Sequence, residues 1–230
     1  MLPKLFVLRS LISPVLIVSG LALCSSLLKA DVIYSNFDSA YSYSDGSGVI
    51  VADGSKDYSV AEELTVFTNN YDLSSIEFVA SSQSPDPSNT VSVSIYADNG
   101  GVPAATALET ITLTGQLAPF NGSLSPVLTE TSLTTPELYS GLSYWLVMDG
   151  APSESLVWDL NSTGTSGYLE TDGTAGNWVD SPNPYTSETN GVFEIDGSIV
   201  PTPEPQAWLL IAGGLALTFC LARRRQQRLA

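Results

Sequence analysis

The 230-residue chain contains no histidine, and its two cysteines, Cys24 and Cys220, both lie in apolar end segments. Between residues 31 and 205 there is no cysteine, no arginine and a single lysine, Lys56. These absences exclude much chemistry. Without histidine, neither a Ser-His-Asp nor a Cys-His nucleophile can be assembled. Zinc sites built from nitrogen and sulfur ligands are excluded as well. Phosphoryl transfer lacks its lysine and arginine clamps, and no glycine-rich phosphate loop is present. Export would permit disulfides, yet this middle region has no thiol, so its core alone must hold it. All 24 acidic residues fall between Asp31 and Glu204, which against Lys56 leaves −23 there; the whole-chain value of −16 hides this. Such a charge argues against nucleic-acid binding, which needs cations to neutralise phosphates. It also disfavours an anionic bilayer surface. It fits a solvated extracellular surface or one that attracts divalent cations.

The remaining basic residues sit at the ends. Lys4 and Arg9 precede the apolar stretch Leu11–Leu23, and Leu28-Lys29-Ala30 places a small residue ahead of Asp31. Residues 1–30 therefore read as a signal peptide for signal peptidase. Cys24 raises a lipoprotein alternative, but Leu23 is too large for that cleavage box. At the other end, Pro201-Thr202-Pro203-Glu204-Pro205 cannot continue a helix, and residues 201–206 form a stiff linker. Ala207–Ala222 follows without a charge. As a helix it would span about 24 Å, short of a hydrocarbon core of about 30 Å. Arg223, Arg224, Arg225 and Arg228 resolve the ambiguity. Arginines after an uncharged run form a cytoplasmic stop, and their stems can snorkel to cover the mismatch. Residues 207–222 are thus expected as a transmembrane helix and residues 223–230 as a basic cytoplasmic tail, with the domain outside.

Residues 31–200 carry β signals and no helical periodicity. Val91-Ser92-Val93-Ser94-Ile95-Tyr96 alternates, putting Val91, Val93 and Ile95 on one face. Asp98-Asn99-Gly100-Gly101 supplies a tight turn, and Leu108–Leu113 returns with Ile111 and Leu113 inward. Ser74–Val79, Glu62–Phe67, Leu156–Leu160 and Val192–Ile195 read as further strands. Tyr144-Trp145-Leu146-Val147-Met148 is a denser run, suited to a central strand covered on both faces. Ser81–Asn89 and Ser181–Asn190 are expected as long loops. Many short strands at this spacing predict an all-β fold, an antiparallel sandwich or jelly roll.

No catalytic, cofactor-binding or metal-ligating residue can be assigned. Three chemistries stay open. A pair of carboxylates could support a glycoside hydrolase, which needs no other residue type. Calcium takes oxygen ligands, and Asp45-Gly46-Ser47-Gly48, Asp98-Asn99-Gly100 and Asp172-Gly173 are candidate loops, none with a complete calcium signature. Indole rings could stack on sugars. Trp145 and Trp158 stand in apolar strands and are expected in the core, whereas Trp178, in the polar stretch Gly176-Asn177-Trp178, is the better candidate for a ligand contact.

Two resemblances add to this. Pro203-Glu204-Pro205, the apolar segment with Trp208 and the arginine cluster together resemble the PEP-CTERM sorting signal. That likeness implies cleavage near the tripeptide by an exosortase. It also implies release to the surface or matrix of a Gram-negative bacterium that makes exopolysaccharide. The middle region is similar to the choice-of-anchor R domain over most of residues 32–197. The likeness rests on Tyr34-Ser35-Asn36-Phe37, Tyr96–Pro103, Ser140–Leu146, Val157–Gly164 and Gly191-Val192-Phe193. It implies export and β architecture, and no established ligand. The expectation is a non-enzymatic exported surface or matrix protein, serving biofilm or cell-envelope organisation. A carbohydrate-binding or calcium-dependent adhesion module is the alternative, and the carboxylate-only hydrolase a weaker one.

Overall fold

A computed structural model describes residues 30–53, 58–83, 89–120, 125–151, 154–171, 177–180 and 190–201, and short stretches at 213–216, 218–219, 223–224 and 227. Within these the chain forms β1 (Asp31–Ser35), β2 (Tyr43–Asp53), β3 (Val60–Thr65), β4 (Tyr71–Phe78), β5 (Ala80–Ser82), β6 (Thr90–Asp98), β7 (Pro103–Thr114) and β8 (Ala118–Pro119). It continues through β9 (Leu128–Thr131), β10 (Glu137–Leu138), β11 (Ser143–Gly150), β12 (Ser155–Asn161), β13 (Tyr168–Thr171), β14 (Trp178–Asp180) and β15 (Phe193–Ile199). The all-β expectation holds. The strands make a six-stranded sheet ordered β14-β13-β3-β11-β6-β7, a sheet ordered β1-β15-β4-β10 with β9 also on β4, and a four-stranded sheet ordered β2-β12-β5-β8. Every pairing is antiparallel except the short one between β5 and β8.

Side-chain alternation decides which residues face inward. Val91, Val93 and Ile95 of β6 are buried, as are Ile111 and Leu113 of β7, all in one main cluster. Tyr144, Leu146 and Met148 of β11 point into that cluster, while Trp145 and Val147 enter a smaller one on the other face. The dense run of β11 is therefore a strand buried on both sides. The main cluster draws on all three sheets, adding Leu73, Ile76 and Phe78 from β4 and Val49, Leu156 and Trp158 from β2 and β12.

Several expectations shift. The strand placed at Glu62–Phe67 runs Val60–Thr65, because Phe67 turns out to solvent at 79% exposure while Val60 is fully buried. Ser81 and Ser82, expected in a long loop, end β5 against β12 and are buried. The Asp45–Gly48 loop is instead part of β2. There the register against β12 jumps from Ser44↔Leu160 to Gly48↔Asp159, making a bulge. Gly48 is needed at its end, since a Cβ there would lie 1.9 Å from Val157 Cγ1. Of the loop at Ser181–Asn190 only Asn190 is described. Residues 1–29, Pro203, Glu204, Pro205, Arg225 and Arg228 lie outside the described residues. Within 207–222, residues 213–216 and 218–219 are helical, as are Arg223 and Arg224. Among the described residues no helix is long and apolar enough to cross a membrane.

The two smaller sheets are joined through residues 190–193. Val192 N–H donates to Asp159 O at 2.8 Å, and Asp159 N–H donates to Val79 O at 3.0 Å. Asn36 Nδ2 donates to Gly191 O at 2.8 Å, and its Oδ1 accepts from Phe193 N at 2.7 Å. Trp158 Nε1 donates to Val192 O at 3.0 Å. The indole of Trp158 fills the space beside Gly191, where a Cβ would lie 2.3 Å from Cδ2. Gly191 N–H donates to Glu62 Oε1, yet among the described residues no partner reaches Glu62 Oε2. Burial holds the Glu62 carboxyl well above its ordinary range, against the opposing pull of the Gly191 amide and the Asn190 side chain.

Two outcomes test this joint. Gly191→Ala must displace a fully buried indole and is expected to cost about 3 kcal/mol or more, read from the urea midpoint. Glu62 prefers its neutral form when folded, so its contribution is favourable at low pH and is lost as pH rises above the unfolded-state value toward the folded one. Glu62→Gln should flatten the fall in stability as pH rises above the ordinary glutamate range. It should also raise the melting temperature at pH values above the ordinary glutamate range, and by less at about pH 4.

Candidate functional site

The outer face of the six-stranded sheet begins with alternation on β11, which sends Trp145, Val147 and Asp149 away from the main core. Trp145 and Val147 are buried there with Ala61 of β3 and Leu169 of β13. The β13–β14 pairing sets Thr171 opposite Trp178, so Trp178 falls on the same face as Leu169 and packs against this cluster, as do Tyr96 and Val102. Trp178 and Tyr96 stay half-buried. Together with Val147, Asp149, Asn99 and Pro103 they line an open groove of about 440 Å³.

The β6–β7 turn builds one rim of the groove. Gly100 and Gly101 take φ of 74° and 91°, a left-handed backbone that glycine adopts without penalty. Asp98 holds the turn: its Oδ2 accepts from Gly100 N at 3.1 Å and its Oδ1 from Gly101 N at 2.9 Å. Trp145 Nε1 also donates to Oδ1, at 2.9 Å. That indole bond, with the turn amides, keeps the Asp98 carboxyl below its ordinary range. Tyr96 is pushed the other way by burial and by the Asp149 carboxylate, so its phenol keeps its proton.

Beyond the groove the same face carries paired hydroxyls. Ser94 Oγ lies 2.8 Å from Thr110 Oγ1, Ser92 Oγ 3.0 Å from Thr112 Oγ1, and Thr90 Oγ1 3.2 Å from Thr114 Oγ1. Aromatic rings that cover apolar C–H faces, beside hydroxyl, phenol, amide and carboxylate groups, match the amphipathic surface of a sugar ring.

Of the three tryptophans weighed in the sequence, Trp158 is fully buried, and Trp145 is 4% exposed with its N–H engaged. Trp178 is the one placed on the groove. Tyr96 and Asp149 were not singled out in the sequence. Alternation could have found Tyr96, since Val91, Val93 and Ile95 facing inward leave it outward. Among the described residues no group of three or more Asp or Glu is arranged to hold a metal ion. Asp172-Gly173 and the Asp45 side chain lie outside those residues. Carboxylates do meet on the outer face of the sheet containing β4 and β15, where Glu77 stands opposite Glu194. Burial, then the neighbouring charges of Asp196 and Glu77, raise Glu194; burial and Glu77 raise Asp196. Adjacent raised carboxyls are an acid–base pattern. These stand on a sheet face, with the Tyr41 hydroxyl donating to Glu77, apart from the aromatic groove.

Asp98→Ala would release two turn amides and the Trp145 N–H. It should lower stability by about 1–3 kcal/mol and alter tryptophan emission, both measured in one thermal melt followed by fluorescence. Comparison of the chain with protein-family models and with curated proteins finds no match.

Proposed function

We propose that the chain is an exported, non-enzymatic surface or extracellular-matrix protein whose β domain is an antiparallel sandwich or jelly roll that binds carbohydrate. The observation that carries the binding reading is the groove bounded by Trp178 and Tyr96 over Asp149 on the outer face of the six-stranded sheet. A half-buried indole on a fixed apolar base is a rigid platform, and little side-chain entropy is lost when a sugar stacks on it. The shared core of the three sheets supports the sandwich form, since inner faces bury the apolar set and leave the outer faces for recognition.

The export reading rests on the two ends. Asp31 begins β1 directly after the expected signal-peptidase site at Ala30. β15 ends at Ile199, immediately before the proline segment with Pro203, Glu204 and Pro205. An exosortase cut there would release the whole domain without disturbing a strand. The helical residues Leu215 and Phe219 are 67% and 72% exposed, as suits apolar side chains meant for lipid. In this reading the tail holds the protein in the inner membrane of a Gram-negative cell until processing, and Arg223, Arg224, Arg225 and Arg228 act as the cytoplasmic stop. Exopolysaccharide is then the natural partner of the released domain in a biofilm or envelope.

Glycan-array binding by the mature protein is expected to fall at least tenfold in Trp178→Ala, measured well below the variant's own melting temperature, which the loss of an indole packed on the outer cluster also lowers. Equal binding by the variant would remove the groove as the site. Binding should also persist in EDTA, because Asp98 is already committed to its turn. Mass spectrometry of the surface fraction should show a C-terminus near Pro203–Pro205, and an intact Arg223–Arg228 tail would overturn the sorting assignment.

A further inference from the structure

The hydroxyl pairs on β6 and β7 are continuous with the groove. On β11 and β6, Trp145 stands opposite Tyr96, Val147 opposite Ser94 and Asp149 opposite Ser92. Moving from Tyr96 along β6 therefore leads from the groove wall, past the buried Ser94, onto the half-buried Ser92 and Thr90. Each of these has a hydroxyl partner on β7. Every outward position on β7 from Thr110 to Thr114 is threonine, and Thr110, Thr112 and Thr114 are exposed. The three pairs cover five residues of strand, four steps or about 14 Å at the rise of an antiparallel strand.

We infer that the aromatic groove is one end of an extended site for an uncharged polysaccharide, which runs from Trp178 along the Ser/Thr pairs of β6 and β7. This rests on the carbohydrate reading above and names the class and length of ligand. The Ser92–Thr112 pair uses one donor between its members and keeps a second donor and spare lone pairs for a ligand, and the exposed Thr110 and Thr114 flank it on β7. Cross-strand bonding fixes those oxygens before a ligand arrives, which lowers the ordering cost of binding. The rows carry no charged side chain, while residues 31–205 carry 24 acids against Lys56. An anionic chain would meet repulsion with no cation to receive it, and an uncharged one would not. Trp178 supplies the anchoring stack and the hydroxyl rows supply length, room for roughly two or three more rings over the 14 Å.

The test is a titration of the mature protein with uncharged oligosaccharides, from disaccharide to octasaccharide, drawn from glucan, mannan and galactan. Carboxylated oligomers of matched length serve as the comparison. In at least one uncharged series affinity should rise with length by tenfold or more and level off near the pentasaccharide. The carboxylated series should bind at least tenfold more weakly at low salt. The double variant Ser92→Ala, Thr112→Val keeps shape and β propensity on an exposed face, so folding is not at stake. It should remove the gain with length while leaving disaccharide affinity unchanged. A double variant with the wild-type length dependence would overturn the extended site and leave the groove standing. A carboxylated series that binds as tightly as the uncharged one would overturn the ligand class. Absence of binding to every series, at every length, would overturn both this inference and the carbohydrate reading on which it rests.

Discussion

The contact between the Trp158 indole and the bare α-carbon of Gly191 is the constraint around which the domain is organised. An indole fully buried at 0% exposure needs an acceptor for its N–H and close-packed surroundings for its rings. Val192 O provides the first, and the missing side chain at Gly191 provides the second. Having given up its side chain, the 190–193 backbone takes polar side chains instead: Asn36 on Gly191 and Phe193, Asn161 on Asn190, and Glu62 on Gly191. These come from β3, β12 and the turn after β1. The joint therefore ties the six-stranded sheet to both smaller ones with no covalent link. Loss of any one partner would leave a buried polar group alone, and such groups are costly.

The proposed recognition face depends on that joint through β3 and β11. β3 gives Glu62 to the joint from its inner face and Ala61 to the Trp145 cluster from its outer one. β11 likewise sends Leu146 inward and Trp145 outward. Neither strand can shift register without moving both sets, because a one-residue slip exchanges the faces. The position of Tyr96 and Trp178 over the outer cluster is thus inherited from the core, and the groove needs no loop of its own to define its floor. Trp145 adds a second tie, since its bond to Asp98 holds the β6–β7 turn down on the sheet and sets the rim.

Strands with strong alternation were legible in the sequence, and so was the covered run of β11, because a period of two has one physical meaning. Ile111 and Leu113 facing inward followed from the same rule. The pattern failed where backbone pairing outweighed side-chain polarity. Ser81 and Ser82 are strand residues because β12 needs a neighbour there, although Ser and the prolines after them read as loop. Asp45–Gly48 reads as a turn and is a bulge, since local composition does not separate a chain reversal from a strand with surplus residues. Glu62 was illegible for a different reason. A carboxylate in an alternating strand is ordinarily placed outside, and only the arrival of Gly191 from 129 residues away explains why it lies inside. Of the site, Trp178 stood out by its polar surroundings. Its meeting with Tyr96 and Asp149 needed the order of six strands, which no local pattern contains.

A domain with one lysine cannot satisfy its carboxylates by ion pairing, and the structure uses neutral donors in their place. Asp98 accepts two turn amides and an indole N–H. Glu109 accepts from Ser132 Oγ at 2.5 Å and from the amides of Leu133 and Thr134. Burial raises Glu109, yet these bonds outweigh it and hold the carboxyl below its usual range. Glu154 takes Thr90 N–H on both oxygens, at 2.7 and 2.8 Å. Asp38 is lowered by Ser42 and by the Ala40 amide. The acidic side chains that shape turns are thus held ionised by the chain's own neutral hydrogen-bond donors, and their charge adds to an unopposed negative field. Negative charge keeps the domain solvated and repels anionic polymers over most of its surface. The proposed recognition is confined to the outer sheet face, where rings and hydroxyl groups would act without needing a cation.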